Sequence, residues 1–259
     1  MRARLLTPFR SSPESAGLFL DFDGTLSEIV PVPSEARPVN GASDILNRLA
    51  ARFRLVAIVS GRGACQLVDW LGPKVEIWGI HGAERALRGR VELSERAIPY
   101  AELMDRVKND ARRRLAELDL EGVILEDKGV MLALHFRAAT DPETAGAALD
   151  RLAAELADSY GLTRAGGRLA YELRPPVEFS KSQVVAQRAH EAALRAAAFI
   201  GDDRVDLPAF DALDALDREG VATLRVAVNS NEAPPELLRR ADLVVEGPAG
   251  VLDFLRQLV

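Results

Sequence analysis

Short apolar runs that end in polar or glycine-rich residues recur along the chain, and helical patterns follow them. Gly17-Leu18-Phe19-Leu20 runs into Asp21, Leu55 to Val59 into Ser60-Gly61-Arg62, and Val75 to Ile80 into His81-Gly82. Far downstream, Ala196 to Ile200 runs into Gly201-Asp202-Asp203, and Leu224 to Val228 and Leu243 to Val245 follow. Between these runs, Gly41 to Arg52, Gly63 to Leu71 and Lys181 to Leu194 carry apolar residues at helical spacing. Runs that are apolar throughout are strands buried on both faces. Their alternation with helices predicts an α/β fold built on a parallel, Rossmann-like sheet.

The stretch from about Pro99 to Arg174 has a different rhythm. Tyr100 to Leu118 is one long helical pattern, with Arg112-Arg113-Arg114 as its solvated face. Val123 to Lys128 and Val130 to Arg137 predict a strand pair that turns near Lys128-Gly129. A second helix, Pro142 to Ser159, leads to a strand over Arg168 to Leu173. Two helices with an antiparallel sheet predict a small α+β unit, residues 99–174, inserted into a core made of 1–98 and 175–259.

Composition narrows the functional classes. The formal net charge of −6 argues against general affinity for nucleic acid or an anionic membrane. The single cysteine, Cys65, excludes an internal disulfide. No window reaches the roughly 18 apolar residues of a membrane span, and the N-terminal residues lack a signal-peptide core, so the expectation is a cytoplasmic protein. Oligomeric state leaves no mark in the sequence.

The candidate chemistry sits where the apolar runs stop. In Asp21-Phe22-Asp23-Gly24-Thr25-Leu26, two carboxylates two residues apart face one site. One suits nucleophilic attack on phosphorus and the other the leaving group's proton. On its own the motif is also compatible with an acidic turn. Gly201-Asp202-Asp203-Arg204-Val205-Asp206 adds carboxylates at another strand end. Their repulsion calls for a shared cation, and oxygen-only ligands favour Mg²⁺ over zinc. The plain alternative, an acidic helix start, is credible for Asp203. Ser60 can offer a hydroxyl to a phosphate oxygen or simply cap a helix, and Lys181 can neutralise phosphate charge or lie idle on a surface.

Taken in order, DxDGTL, Ser-Gly-Arg, Lys and GDDxxD resemble the haloacid-dehalogenase superfamily of phosphohydrolases. The resemblance implies Asp21 as nucleophile, Asp23 as general acid and base, and Ser60 and Lys181 as holders of the phosphoryl group. It implies Mg²⁺ bound by Asp21, the carbonyl of Asp23, and Asp202, with Asp206 in the outer shell. Arg62 is expected to contact substrate. The inserted unit is similar to that of trehalose-6-phosphate phosphatases. Glu126-Asp127-Lys128 matches that family's E-x-K segment, and Ala133-Leu134-His135-Phe136-Arg137 its A-x-H-[FY]-R segment. Gly167 to Pro175 matches G-[KR]-x-x-x-E-[IVL]-[KR]-P, and Ile80 to Glu84 resembles a core segment. By that likeness Glu126, Lys128, Arg137, Arg168 and Glu172 contact sugar hydroxyls. Each of these is also compatible with a cross-strand ion pair on a solvated sheet face, while His81 and His135 are expected to be structural. Val205, Leu207, Ser182 and Glu28 depart from the family pattern. Leu207 stands where a carboxylate is usual, which keeps other sugar phosphates open as substrates.

Overall fold

The computed structural model describes residues 2–30, 35–167, 169–230 and 233–259. Among them the strands are β1 (Ala16–Leu20), β2 (Leu55–Val59), β3 (Glu76–Gly79), β4 (Glu84–Leu87), β5 (Arg90–Leu93), β6 (Ile124–Asp127), β7 (Leu132–His135), β8 (Thr163–Gly167), β9 (Ala170–Arg174), β10 (Ala196–Gly201), β11 (Ala222–Asn229) and β12 (Leu243–Glu246). The helices are α1 (Arg2–Ser11), α2 (Ala42–Ala50), α3 (Ala64–Leu71), α4 (Ala101–Leu118), α5 (Pro142–Tyr160), α6 (Lys181–Glu191), α7 (Leu207–Arg218), α8 (Pro235–Arg240) and α9 (Gly247–Arg256). They fall into two compact units, Met1–Glu92 with Phe179–Val259, and Leu93–Glu178.

The larger unit is built on a sheet in the order β12-β11-β10-β1-β2-β3-β4-β5, which is parallel from β12 to β3. Successive residues of a strand point to opposite faces, so each all-apolar run feeds two cores. Leu18, Leu20, Ile58, Ala198 and Ile200 join one cluster; Phe19, Val59, Ala197 and Phe199 join the other. α2 shows how a helix covers a face. Its buried Ala42, Ile45, Leu46 and Leu49 form one stripe, and full burial of each larger side chain contributes about 1.5–3 kcal/mol. α1 forms despite Pro8 within it, because Leu6 and Phe9 are buried in the first core. That helix leaves little periodic trace in the sequence.

β1 is the strand at which the chain order reverses, with β2 on one side and β10 on the other. Open parallel sheets bind ligands in the crevice beyond the carboxyl ends of such strands. Asp21 follows β1 directly and is locked into register, its N–H donating to Ile200 O at 2.9 Å.

In the smaller unit, strands pair antiparallel in the order β6-β7-β9-β8. Leu132, Leu134 and Leu173 are buried on one face of this sheet. α5 packs on β8 and β9, and α4 packs on α5. On the other face β6, β7 and β9 align Glu126, Ala133 and Glu172 in one row. The last strand of this unit begins at Ala170 rather than Arg168, and β8 precedes it as an edge strand. The hairpin β4–β5 was likewise not evident from the sequence pattern.

Candidate active site

Four strand ends and one helix start converge in a cavity of about 370 Å³. Asp21 and Asp23 come from the end of β1, Ser60 from β2, His81 from the turn after β3, and Asp202 from β10; Lys181 opens α6. The sharp turn after β1 needs Gly24, whose φ of 71° lies in the left-handed region. A side chain is excluded there on space as well, since a Cβ would stand 1.9 Å from Asp202 Oδ2. The second glycine-bearing loop is thereby drawn against the first.

Lys181 is buried and lies between two carboxylates, with Nζ 2.8 Å from Asp21 Oδ1 and 2.6 Å from Asp206 Oδ1. Ser180 caps α6 by accepting the N–H of Gln183, which sets where the lysine projects. The remaining oxygen of Asp206, Oδ2, accepts the backbone N–H groups of Asp202 at 2.9 Å and Asp203 at 3.1 Å. Both oxygens of Asp206 are therefore committed to holding the loop and the lysine. Asp203 caps the turn Arg204–Asp206, the plainer of its two readings.

One oxygen from each of Asp21, Asp202 and Asp206 lies within 4.8 Å of the others. All three residues are buried, and Asp202 Oδ1 has no hydrogen-bond partner among the described residues. Burial, opposed by Lys181 and reinforced by Asp206, pushes Asp21 up to about 7. Burial followed by the charges of Asp21 and Asp206 pushes Asp202 up to about 8. Burial also disfavours the Lys181 ammonium, but Asp206 and Asp21 outweigh it and hold the lysine above its ordinary value. The ammonium stays charged and is shared between two carboxylates, so the cluster becomes net negative as Asp21 and Asp202 ionise. An orphaned buried oxygen among crowded hard-oxygen donors fits a divalent cation.

The folded-state values of Asp21 and Asp202 lie above the ordinary 3.8. Their contribution to stability is fully present below about pH 4 and is lost as pH rises through about 7 to 8. A cation replaces the protons, so the gain in thermal midpoint on adding a divalent cation should grow from about pH 5 to about pH 8. A gain that is the same at both pH values would contradict this charge distribution.

The Asp23 carboxylate stands outside this cluster. Arg62 grips it through both oxygens, with Nε 2.8 Å from Oδ2 and Nη2 2.7 Å from Oδ1. The guanidinium lies over Phe22 and Trp70, which are themselves stacked at 5.3 Å. Ser60 is buried, and its hydroxyl accepts the backbone N–H of Arg62 at 3.2 Å instead of capping α3, whose N-cap is Gly63. Two cavity-lining residues with exposed apolar side chains, Ile29 and Val205, stand at the edge of this site. His81 also lines the cavity, although its sequence position reads as structural.

In the smaller unit, Lys128 Nζ is 2.9 Å from Glu172 Oε1 and 3.6 Å from Glu126 Oε2. Glu126 Oε2 also meets His135 Nε2 at 2.8 Å. The polar row thus forms one connected group. Asp127, on the opposite side of β6, is held by the buried Lys108 at 2.9 Å and accepts the N–H of Gly129. That anchor fixes the hairpin carrying Glu126 and Lys128. Arg137 is exposed in the turn after β7. Arg168 lies outside the described residues.

A parallel sheet with an acidic cluster and a lysine at this reversal point, and a smaller α+β unit inserted in sequence, is the architecture of the haloacid-dehalogenase superfamily. The fold matches that of a Bacteroides thetaiotaomicron phosphatase of that superfamily with a TM-score of 0.58, at 19% identity over 96% of this chain and 97% of the other. Within the superfamily, the chain belongs to the trehalose-phosphatase family, whose model matches residues 19–242. It is 31% identical to the trehalose-phosphate phosphatase of Mycobacterium leprae over 93% of this chain and 57% of the relative. The C-terminal domain of the C. albicans trehalose-6-phosphate phosphatase superposes with a TM-score of 0.70 at 24% identity, covering 99% of this chain and 96% of that one. The chain spans about three fifths of the length of the curated relatives it matches. Among the described residues no helix is long and apolar enough to cross a membrane.

Proposed function

We propose that this chain is a Mg²⁺-dependent phosphatase that hydrolyses trehalose 6-phosphate to trehalose and phosphate through an aspartyl-phosphate at Asp21. The observation that carries the reading is the buried Lys181 set between Asp21 and Asp206 beside the orphaned oxygen of Asp202. Such a site accepts a cation and a phosphoryl dianion together. Family membership and the polar row of the smaller unit support the choice of sugar.

An Asp21 carboxylate oxygen attacks phosphorus, and the bond from phosphorus to the sugar oxygen breaks. Asp23 gives the departing oxygen a proton. Asp23 then takes a proton from water, whose oxygen attacks phosphorus, releasing phosphate and restoring Asp21. Lys181 and Ser60 hold the phosphoryl oxygens in line. Asp21, the carbonyl of Asp23, and Asp202 are the residues that would hold Mg²⁺. When bound, it neutralises charge on the transferring group. Asp206, saturated by Lys181 and two backbone N–H groups, serves to position the lysine and the loop. Arg62 orients Asp23 and contacts substrate. Glu126, Lys128, Arg137, Arg168 and Glu172 contact sugar hydroxyls, where a wrong stereoisomer would leave charged groups unmet. A phosphorylated sugar substrate and the lone cysteine support a cytoplasmic location.

Phosphate release from trehalose 6-phosphate, glucose 6-phosphate, glucosylglycerol phosphate and mannosylglycerate phosphate tests the assignment. The first should exceed the others in kcat/KM by more than about tenfold. Equal values across the panel would remove the disaccharide while leaving a phosphatase.

A further inference from the structure

The Ser60 turn is supported from one side by the segment that follows β3. His81 donates its backbone N–H to Ser60 O at 2.8 Å, Ile80 donates to Arg62 O at 2.9 Å, and Ser60 donates to Trp78 O at 2.9 Å. To make these bonds the backbone enters positive φ at three successive residues, 48° at Ile80, 56° at His81 and 108° at Gly82. For a β-branched residue such as Ile80 this is an outlier, and each non-glycine residue so held costs on the order of 1–3 kcal/mol. Glycine at both positions would make the same backbone bonds without that cost. The side chain is what glycine would not supply. At His81 the twist lays the imidazole edge on the turn beside it: a Cβ on Gly61 would stand 3.0 Å from both Nε2 and Cε1. The ring lines the same cavity as Asp21, Ser60 and Lys181.

We propose that His81 is a substrate-contacting residue whose ring N–H donates a hydrogen bond to a non-bridging phosphoryl oxygen of the ester held at the Ser60-Gly61 turn. The assignment rests on the phosphatase reading above and adds a donor to it. The oxygen is chosen by position, since the ring edge abuts Gly61, the residue after Ser60, in the cavity that Asp21 and Lys181 also line.

His81→Gly keeps that backbone and removes the ring, and His81→Asn keeps a shorter donor on a residue that tolerates positive φ. Both are assayed with Mg²⁺ against trehalose 6-phosphate and p-nitrophenyl phosphate, with inorganic phosphate as competitive inhibitor. Thermal midpoints are recorded with and without inorganic phosphate. In His81→Gly, kcat/KM for both esters should fall by a similar factor, about 10- to 100-fold, and phosphate inhibition should weaken comparably. The phosphate-induced rise in midpoint should shrink while the phosphate-free midpoint is kept, and His81→Asn should fall between. Values within about twofold of the unmodified protein would overturn the proposal. So would a loss confined to trehalose 6-phosphate, which would move the contact to the leaving group. If His81→Gly does not fold, the inhibition constant of His81→Asn decides. An unmodified protein inert towards every ester would sink the phosphatase reading alone, because the phosphate-induced thermal shift needs no turnover and still decides the His81 contact.

Discussion

Asp21→Asn is expected to lower turnover of any phosphate ester by more than about a thousandfold, with the fold intact. The amide is nearly isosteric and removes the attacking anion. It also removes one of three crowded carboxylates from a buried, net-negative cluster. Stability without added cation should therefore hold or rise even as activity vanishes. That opposite movement separates loss of chemistry from loss of structure. Residual activity within about tenfold of the unmodified protein would refute the nucleophile's assignment.

Lys181→Met is expected to produce the largest loss of stability. Methionine approximates the length of the stem and deletes the charge, leaving Asp21 and Asp206 buried without their common partner. Removing one member of a buried ion pair costs about 3–5 kcal/mol, which for a domain of this size lowers the thermal midpoint by about 6–20 °C. Turnover should fall with it. Part of the midpoint should return on acidification to about pH 5, where Asp21 can take up a proton, and part on adding Mg²⁺. An unchanged midpoint at about pH 8 would show that the lysine is not the counter-charge of the cluster.

Much of this site is legible in the chain because its parts mark strand ends. β1, β2 and β10 are runs apolar at every position, which only a sheet buried on both faces produces, and Asp21, Ser60 and Asp202 follow them at once. Lys181 is legible as a helix start through Ser180. Other parts depend on contacts that spacing does not encode. Asp206 is expected from the resemblance only in the outer shell of a metal; its commitment to two backbone N–H groups and Lys181 appears only when α6 is packed beside α7. Arg62 turns onto Asp23 because Phe22 and Trp70 provide a surface for its guanidinium. His81 is hidden more deeply, since no local preference predicts Ile80 in the left-handed region.

The overlooked strands have similar explanations. β8 reads Thr-Arg-Ala-Gly-Gly, poor in strand formers, and is held by pairing with β9 and by α5 packed on it. The β4–β5 hairpin turns through Arg88 and Gly89, both at positive φ. Arginine at the first of these positions conceals a turn that asparagine or glycine would have announced.

The central claim is that phosphate passes through Asp21. A rapid acid quench of the protein with trehalose 6-phosphate and Mg²⁺, followed by mass spectrometry of its peptides, tests this directly. The account predicts a transient, hydroxylamine-labile phosphate on the peptide containing Asp21, formed no more slowly than turnover and missing from Asp21→Asn. Turnover with no phosphorylated peptide, or with the phosphate on a different residue, would contradict it.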